Sequence, residues 1–245
     1  MPDEGRPKRL SLRNLLRPTV AAQPTRAALH GHQVWTYSRL EEEANRLART
    51  WLARGLEPGD RVAMLLPNRP EALLVYLACF KSGLAAVPLD YRYQAPQINY
   101  VLRHSGSRIL VSDADRLDEV AACDEAQHVD IAVVGGDGSR HGARPLTYGS
   151  TPAGVDLAAA EFRSDDVAII FYTSGTTGRP KGATLTRAGL SAGTAKFLAR
   201  VPLGAADVAL VSAPVTRPFA LRECYWCHII FVQLGGNRAV QGKRV

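Results

Sequence analysis

The pattern of hydrophobic and polar positions predicts a short strand followed by an amphipathic helix near the amino end. Residues 34–37 are typical of a strand, and the apolar residues within 40–52 keep helical spacing. Ser38, with Glu41 three residues later, predicts the N-cap and capping box of this helix. Gly55 predicts its end.

Strand-like and helix-like segments alternate along the rest of the chain. This alternation predicts an α/β protein in which a parallel sheet is covered by helices on both faces. Residues 135–154 are rich in Gly, Pro, Ser and Thr and predict a connection rather than an element. Residues 228–234 suit a buried strand or a short helix. The other predicted strands are 61–66, 85–89, 108–112, 131–134, 167–172 and 208–213, and the other predicted helices are 70–81, 96–103 and 115–123.

The connection contains Gly136-Asp-Gly138, the beginning of a dinucleotide-binding pattern. His141 occupies the position where that pattern requires its third glycine. The sequence therefore does not predict a dinucleotide site there.

Composition places the chain among ordinary globular proteins. Of its 245 residues, 46% are hydrophobic and 22% are charged. No apolar run approaches the roughly 18–20 residues that cross a bilayer, and no signal-peptide segment follows the basic residues at the amino end. We expect a cytoplasmic protein without a transmembrane segment.

The net charge of +7 favours anionic partners. However, the basic residues are scattered, and no nucleic-acid-binding signature is present. We therefore expect no nucleic-acid partner.

The four cysteines are too few for a disulfide scaffold. Cys79 and Cys123 stand alone in helical segments, which favours buried thiols. Cys224 and Cys227 form a Cys-Tyr-Trp-Cys pair, with only His228 nearby as a further metal ligand. We interpret this pair as structural, with a zinc or redox role as the alternative, and we predict no metal ligands.

The segment that follows the predicted strand 167–172 contains the candidate phosphate-binding residues. Its glycines allow several backbone N–H groups to approach one anion, its hydroxyls add donors, and its lysine adds a mobile positive charge. The order Lys181-Gly182 differs from the Walker A order of Gly-Lys-Ser/Thr, so a P-loop kinase or GTPase is not indicated. The predicted phosphate-binding residues are Thr173, Ser174, Gly175, Thr176, Thr177, Gly178 and Lys181.

The segment from Thr173 to Gly182 resembles the signature of the adenylate-forming superfamily. This superfamily includes acyl-CoA synthetases, fatty-acyl-AMP ligases, peptide-synthetase adenylation domains and luciferases. Together the similar stretches extend from about residue 12 to about residue 236. They are 35–40, 59–62, 67–68, 81–89, 91–92 and 165–171, besides the loop itself.

The resemblance implies the incomplete large amino-terminal domain of an acyl-activating enzyme. Residues 1–160 would form a first α/β subdomain and residues 161–245 the start of a second, without the carboxy-terminal catalytic domain. A carboxylate, with a fatty acid as our preferred substrate, would react with ATP and Mg²⁺ to give acyl-AMP. Coenzyme A would then accept the acyl group, and the loop would hold the β- and γ-phosphates. We predict no catalytic residue within this chain.

Two departures from the family pattern bear on activity. Arg217 stands near the position where the family has a histidine, which either alters the acyl-pocket entrance or reflects a local misalignment. The chain also stops at Val245, about half the family's usual length. We expect impaired catalysis by the chain alone. The alternatives are a non-catalytic remnant and one half of a split enzyme that is completed by a partner chain.

Overall fold

The computed structural model describes residues 11–30, 33–146, 157, 162–173, 180–201, 207–211, 213–216 and 228–231. The helices in these residues are α1 (Arg17–Ala22), α2 (Tyr37–Ala53), α3 (Pro70–Ser82), α4 (Ala95–Ser105), α5 (Leu117–Ala121) and α6 (Arg187–Arg200). The strands are β1 (Ala27–His30), β2 (Val34–Thr36), β3 (Arg61–Leu65), β4 (Ala85–Pro88), β5 (Ile109–Asp113), β6 (Asp130–Val134), β7 (Arg144–Pro145), β8 (Val167–Thr173), β9 (Lys181–Thr186), β10 (Val208–Val211) and β11 (His228–Phe231).

A seven-stranded sheet in the order β7-β6-β5-β3-β4-β8-β9 forms the centre of the described fold. All neighbouring strands in it are parallel except β8 and β9. The predicted α/β fold with a parallel sheet flanked by helices is confirmed. The antiparallel return of β9 was not predicted.

Alternate side chains of the central strands enter two separate cores. Val62 and Met64 of β3 join the core that contains α2 and α3, whereas Ala63 and Leu65 join the core that contains α4. Because both faces are covered, the strands are nearly continuous apolar runs. This pattern is why their positions could be predicted from sequence.

Helix α3 lies deepest in the fold and is buried from Ala72 to Ser82. Its end is set by Gly83, which adopts φ of 80° in the left-handed region. A Cβ at Gly83 would overlap the ring of Phe162. The predicted helix and its glycine stop are confirmed.

The start of α2 corrects the predicted cap. Thr36, rather than Ser38, is the N-cap, and its hydroxyl accepts a hydrogen bond from the Arg39 backbone N–H at 3.2 Å. The chain passes directly from β2 into the helix, so Thr36 is the last extended residue. Glu41 instead accepts a hydrogen bond from the Lys81 ammonium at 2.6 Å, which joins α2 to α3.

Two further predictions need correction. The predicted helix 115–123 is shorter: a 3-10 turn at Ala114–Arg116 precedes α5. The predicted connection 135–154 contains a 3-10 turn at Ser139–His141 and the strand β7, which pairs with β6 at the sheet edge. Residues 147–154 lie outside the described part of the chain.

A smaller sheet has the order β10-β11-β1-β2. The predicted strand 208–213 corresponds to β10, and the segment predicted as strand or helix contains the strand β11. Strand β1 pairs with β11 in parallel through Leu29 and Ile229, across 200 residues of sequence. Pairing between such distant segments could not be predicted from local patterns.

The order of the large sheet determines where a site can form. Strand β3 lies between β5 and β4 in the sheet. The chain therefore passes from β3 to β4 on one side and then crosses to β5 on the other side. In open α/β sheets, ligands bind outside the carboxyl ends of the strands. Strand β8 is parallel to β4 through Ala86 and Ile169, so Thr173 lies at this carboxyl edge. The predicted subdomain division at residue 160 stays a prediction, and the sheet contains strands from both sides of it.

Candidate functional site

The predicted phosphate-binding segment connects the two strands of the β8–β9 hairpin. Thr173 ends β8 and Lys181 begins β9, and the two residues are direct partners in the antiparallel register. Both are exposed. The structure therefore brings together the two ends of the predicted site. The other predicted residues, Ser174, Gly175, Thr176, Thr177 and Gly178, lie outside the described residues.

Lysine in this hairpin begins a strand, whereas the Walker A lysine opens a helix. This geometry agrees with the exclusion of a P-loop fold from the sequence. The backbone of Lys181 pairs with that of Thr173, and the Lys181 side chain is exposed at the beginning of β9.

Gly182 has a packing role that the sequence did not reveal. A Cβ at this position would lie 3.1 Å from Ile170 Cγ2 and 3.3 Å from Tyr172 Cζ. The glycine therefore leaves room for the Tyr172 side chain, whose partner residue on β9 is Gly182 itself.

Three aromatic side chains, two on α4 and one on β8, pack together beside the carboxyl end of the predicted phosphate-binding segment. The Tyr100 hydroxyl donates a hydrogen bond to the Pro180 carbonyl at 3.0 Å. His104 Nδ1 and the Tyr172 hydroxyl share a hydrogen bond of 2.7 Å. The Tyr100 ring stacks on His104 at 5.4 Å and meets Tyr172 edge-on at 6.4 Å. We call Tyr100, His104 and Tyr172 the aromatic clasp. Tyr100 and His104 are four residues apart, but His104 lies one residue beyond the predicted helix 96–103; in the structure α4 continues to Ser105, so that the two rings share one face.

Burial of Tyr172 among these rings favours its neutral form. Desolvation, with a smaller contribution from Tyr100, raises the pKa of Tyr172 to about 12. Its hydroxyl therefore remains protonated at neutral pH.

The far end of the hairpin is fixed at the start of α6. The Arg187 backbone N–H donates to the Asp166 carbonyl at 2.9 Å, and the Arg187 guanidinium donates to the Phe80 carbonyl at 2.6 Å. Burial, followed by repulsion from Arg13, lowers the pKa of Arg187 to about 10. The hairpin is thus attached to the end of α3 on the side away from the loop.

A second set of contacts orders the backbone near the predicted departure at Arg217. The Asn68 amide donates to the carbonyls of Val211 and Ala213, and its oxygen accepts from the Val215 N–H at 2.9 Å. The Tyr76 hydroxyl donates to the Val215 carbonyl at 3.0 Å. Arg217, Cys224 and Cys227 themselves lie outside the described residues.

A polar cleft of about 490 Å³ lies at the carboxyl edge of β3, β5 and β6. Arg69 is bonded within it to Glu71 at 2.8 Å and to Asp113 at 2.6 Å. One guanidinium thus pairs with two carboxylates, so acidic side chains outnumber basic ones in this group. Sequence reasoning did not find this cleft, because it depends on the order of the strands.

The two cysteines that the structure describes are consistent with a structural role. Cys79 and Cys123 are buried free thiols, as predicted, and burial raises the pKa of both.

Over the described part of the chain, no group of three or more His, Cys, Asp or Glu side chains could hold a metal ion. None of the described helices is long and apolar enough to cross a bilayer.

Comparison with known proteins agrees with the predicted fold. The AMP-binding enzyme family model matches residues 16–235. Feruloyl-CoA synthase from Amycolatopsis is 35% identical over 195 residues, which are 80% of this chain and 37% of that protein. The long-chain-fatty-acid–CoA ligase FadD13 from Mycobacterium tuberculosis is 31% identical over 189 residues, which are 76% of this chain and 36% of that protein.

Among solved structures, the inhibitor-bound N-terminal domain of FACL13 from Mycobacterium tuberculosis matches with a TM-score of 0.76 and 27% identity. The match covers 92% of this chain and 58% of that domain. The chain therefore spans a little over a third of the length of these relatives and more than half of the solved amino-terminal domain. The chain belongs to the AMP-binding enzyme family and corresponds to an amino-terminal portion of its acyl-CoA ligase members.

Proposed function

We propose that this chain is part of an AMP-forming acid–thiol ligase and that its β8–β9 hairpin binds the β- and γ-phosphates of ATP. The observation that carries the proposal is the pairing of Thr173 with Lys181. It places a hydroxyl and an ammonium side by side at the carboxyl edge of the sheet, in a chain of the AMP-binding family.

The reaction consists of two transfers. A carboxylate oxygen attacks the α-phosphorus of ATP. The bond between the α-phosphorus and the oxygen that it shares with the β-phosphorus breaks, and pyrophosphate leaves. A thiol sulfur then attacks the acyl carbonyl, and AMP leaves. Lys181 would stabilise the charge that develops on pyrophosphate, and Thr173 would donate a hydrogen bond to it. The protein contribution at this hairpin is positioning and electrostatic stabilisation.

Magnesium would enter as a complex with ATP. The described residues offer no carboxylate cluster that fits a resident Mg²⁺, so no step of the reaction is assigned to a metal site of this chain. Bound to the phosphates, the ion would supply charge neutralisation.

For the acid, we propose a fatty acid, and for the thiol, coenzyme A. The relatives support an acyl-CoA product, since they are named feruloyl-CoA synthase and long-chain-fatty-acid–CoA ligase. An aryl acid such as ferulate is therefore the competing substrate. The segment fixed by Asn68 and Tyr76 leads towards Arg217, and we propose that it borders the acyl pocket.

Nearly two thirds of the length of these relatives lies outside the matched part. We therefore propose that the chain alone binds ATP but exchanges pyrophosphate into ATP slowly, with or without an acid. A partner chain or further sequence would supply the rest of the ligase. The alternative is a non-catalytic remnant that retains phosphate binding.

Calorimetric titration of the chain with ATP and Mg²⁺ tests this function. Lys181→Ala removes a charge-assisted contact and should weaken ATP binding about 10- to 100-fold, the range for hydrogen bonds to charged groups. Lys196→Ala, which removes an exposed lysine from α6, is the matched control and should bind as the wild type does. Absence of ATP binding by a folded wild-type chain, or equal weakening by both variants, would contradict the proposal.

A further inference from the structure

The backbone beside Lys181 is held from outside the hairpin. Among the strands that the structure describes, β9 is last in the order of the large sheet and pairs with β8. At the loop end of β9, the Tyr100 hydroxyl reaches from α4 to the Pro180 carbonyl. This hydrogen bond joins residues 80 positions apart in sequence. It ties the edge strand to the body of the fold at the point where the predicted phosphate-binding segment ends.

Pro180 is well suited to being held in this way. Proline has no backbone N–H and a restricted φ, so its carbonyl is the one backbone group through which a neighbour can hold it by hydrogen bonding. Consecutive Cα atoms are separated by about 3.8 Å. A shift of the Pro180 carbonyl is therefore transmitted directly to the backbone of Lys181.

Tyr100 is itself oriented by the rest of the aromatic clasp. Its ring stacks on His104, one turn further along α4, with an interplanar angle of 21°. The Tyr172 ring is nearly perpendicular to both partners, at 89° to Tyr100 and 83° to His104. The hydrogen bond between His104 and Tyr172 closes the arrangement. Edge-to-face and stacked contacts of this kind restrict ring orientation, so the Tyr100 hydroxyl has a defined direction.

We propose that Tyr100 is a positioning residue for polyphosphate binding, acting through the Pro180 carbonyl on the adjacent Lys181. The Tyr100 hydroxyl fixes the position of the Lys181 end of the hairpin before the ligand arrives, so less ordering is needed on binding. This inference rests on the proposed function of the hairpin and adds a residue on α4 that lies outside the loop sequence and is assigned no contact with the ligand.

The test uses pyrophosphate with Mg²⁺ as the probe and calorimetry as the readout. Tyr100→Phe keeps the ring contacts and removes the one hydrogen bond. It should weaken pyrophosphate binding about three- to tenfold, the usual effect of one hydrogen bond. Its thermal midpoint should change by less than about 4 °C. Tyr91→Phe removes a hydroxyl from a half-exposed tyrosine outside the clasp and should leave the affinity unchanged.

A double-mutant cycle separates positioning from a general structural effect. If Tyr100 acts through Lys181, Tyr100→Phe should cost little additional affinity when Lys181 is already alanine. Unchanged affinity in Tyr100→Phe, or the same fold loss in both backgrounds, would overturn the inference while leaving the proposed function intact. Failure of the wild-type chain to bind pyrophosphate would instead overturn the proposed function and, with it, this inference.

Discussion

Asn68 uses both ends of its amide to hold one stretch of backbone. Three of its hydrogen bonds reach Val211, Ala213 and Val215, which lie more than 140 positions away in sequence. The sequence indicated Asn68 only as part of a family-like Pro-Asn pair. Its role depends on side-chain geometry and on a distant segment, so local pattern could not reveal it. Lys181 and Thr173, in contrast, are predicted as phosphate-binding residues from residue type and order alone, and this stays a prediction.

Replacement of Asn68 by alanine should destabilise the fold by about 2 kcal/mol, because it leaves partly buried backbone groups without partners. Urea unfolding measures this change. Asn45→Ala is the matched control, since Asn45 makes one long hydrogen bond of 3.5 Å to Glu41. A similar loss of stability in both variants would contradict the role assigned to Asn68.

At the scale of elements, periodicity predicted the strands of the seven-stranded sheet except β7 and β9. The central strands are buried on both faces and therefore appear as apolar runs. The strand β9 was missed because its sequence, Lys181 to Thr186, is mainly polar or small, and none of its residues is fully buried. The smaller sheet was not predicted as a sheet because β1 pairs with β11 across most of the chain. The cap of α2 was misplaced because both Thr36 and Ser38 are good capping residues, and sequence alone does not show where β2 ends.

The packing of α4 against the hairpin should be sensitive to alkaline pH. The folded-state pKa of Tyr172 is about 12, above its ordinary value of 10.0. Between these values the unfolded chain loses the proton and the folded chain keeps it, so stability falls as pH rises. We expect the free energy of unfolding to fall more steeply from pH 10 to pH 12 in the wild type than in Tyr172→Phe.

Urea unfolding of both proteins across this pH range measures the difference. Other tyrosines ionise in both proteins, so the comparison isolates Tyr172. Parallel pH profiles would show that Tyr172 is not buried in the clasp as described.

At the scale of the whole molecule, the fold and the family were both indicated by the sequence. Alternating strands and helices predicted the α/β architecture, and the string from Thr173 to Gly182 indicated the adenylate-forming superfamily. The match of the AMP-binding enzyme model to residues 16–235 agrees with both. What the sequence did not show was how the carboxyl edge of the sheet is organised. There, the order of the strands brings the hairpin and α4 together in space.

Phosphorus nuclear magnetic resonance of ATP with Mg²⁺ in the presence of the chain tests most directly whether the β8–β9 hairpin binds the terminal phosphates. We predict that the β- and γ-phosphorus resonances shift on binding more than the α resonance, because the hairpin holds the two terminal phosphates. Lys181→Ala should abolish these shifts at the same protein concentration, and Lys196→Ala should preserve them. Shifts that persist in Lys181→Ala, or a shift confined to the α-phosphorus, would contradict the assignment of the β8–β9 hairpin as the polyphosphate site.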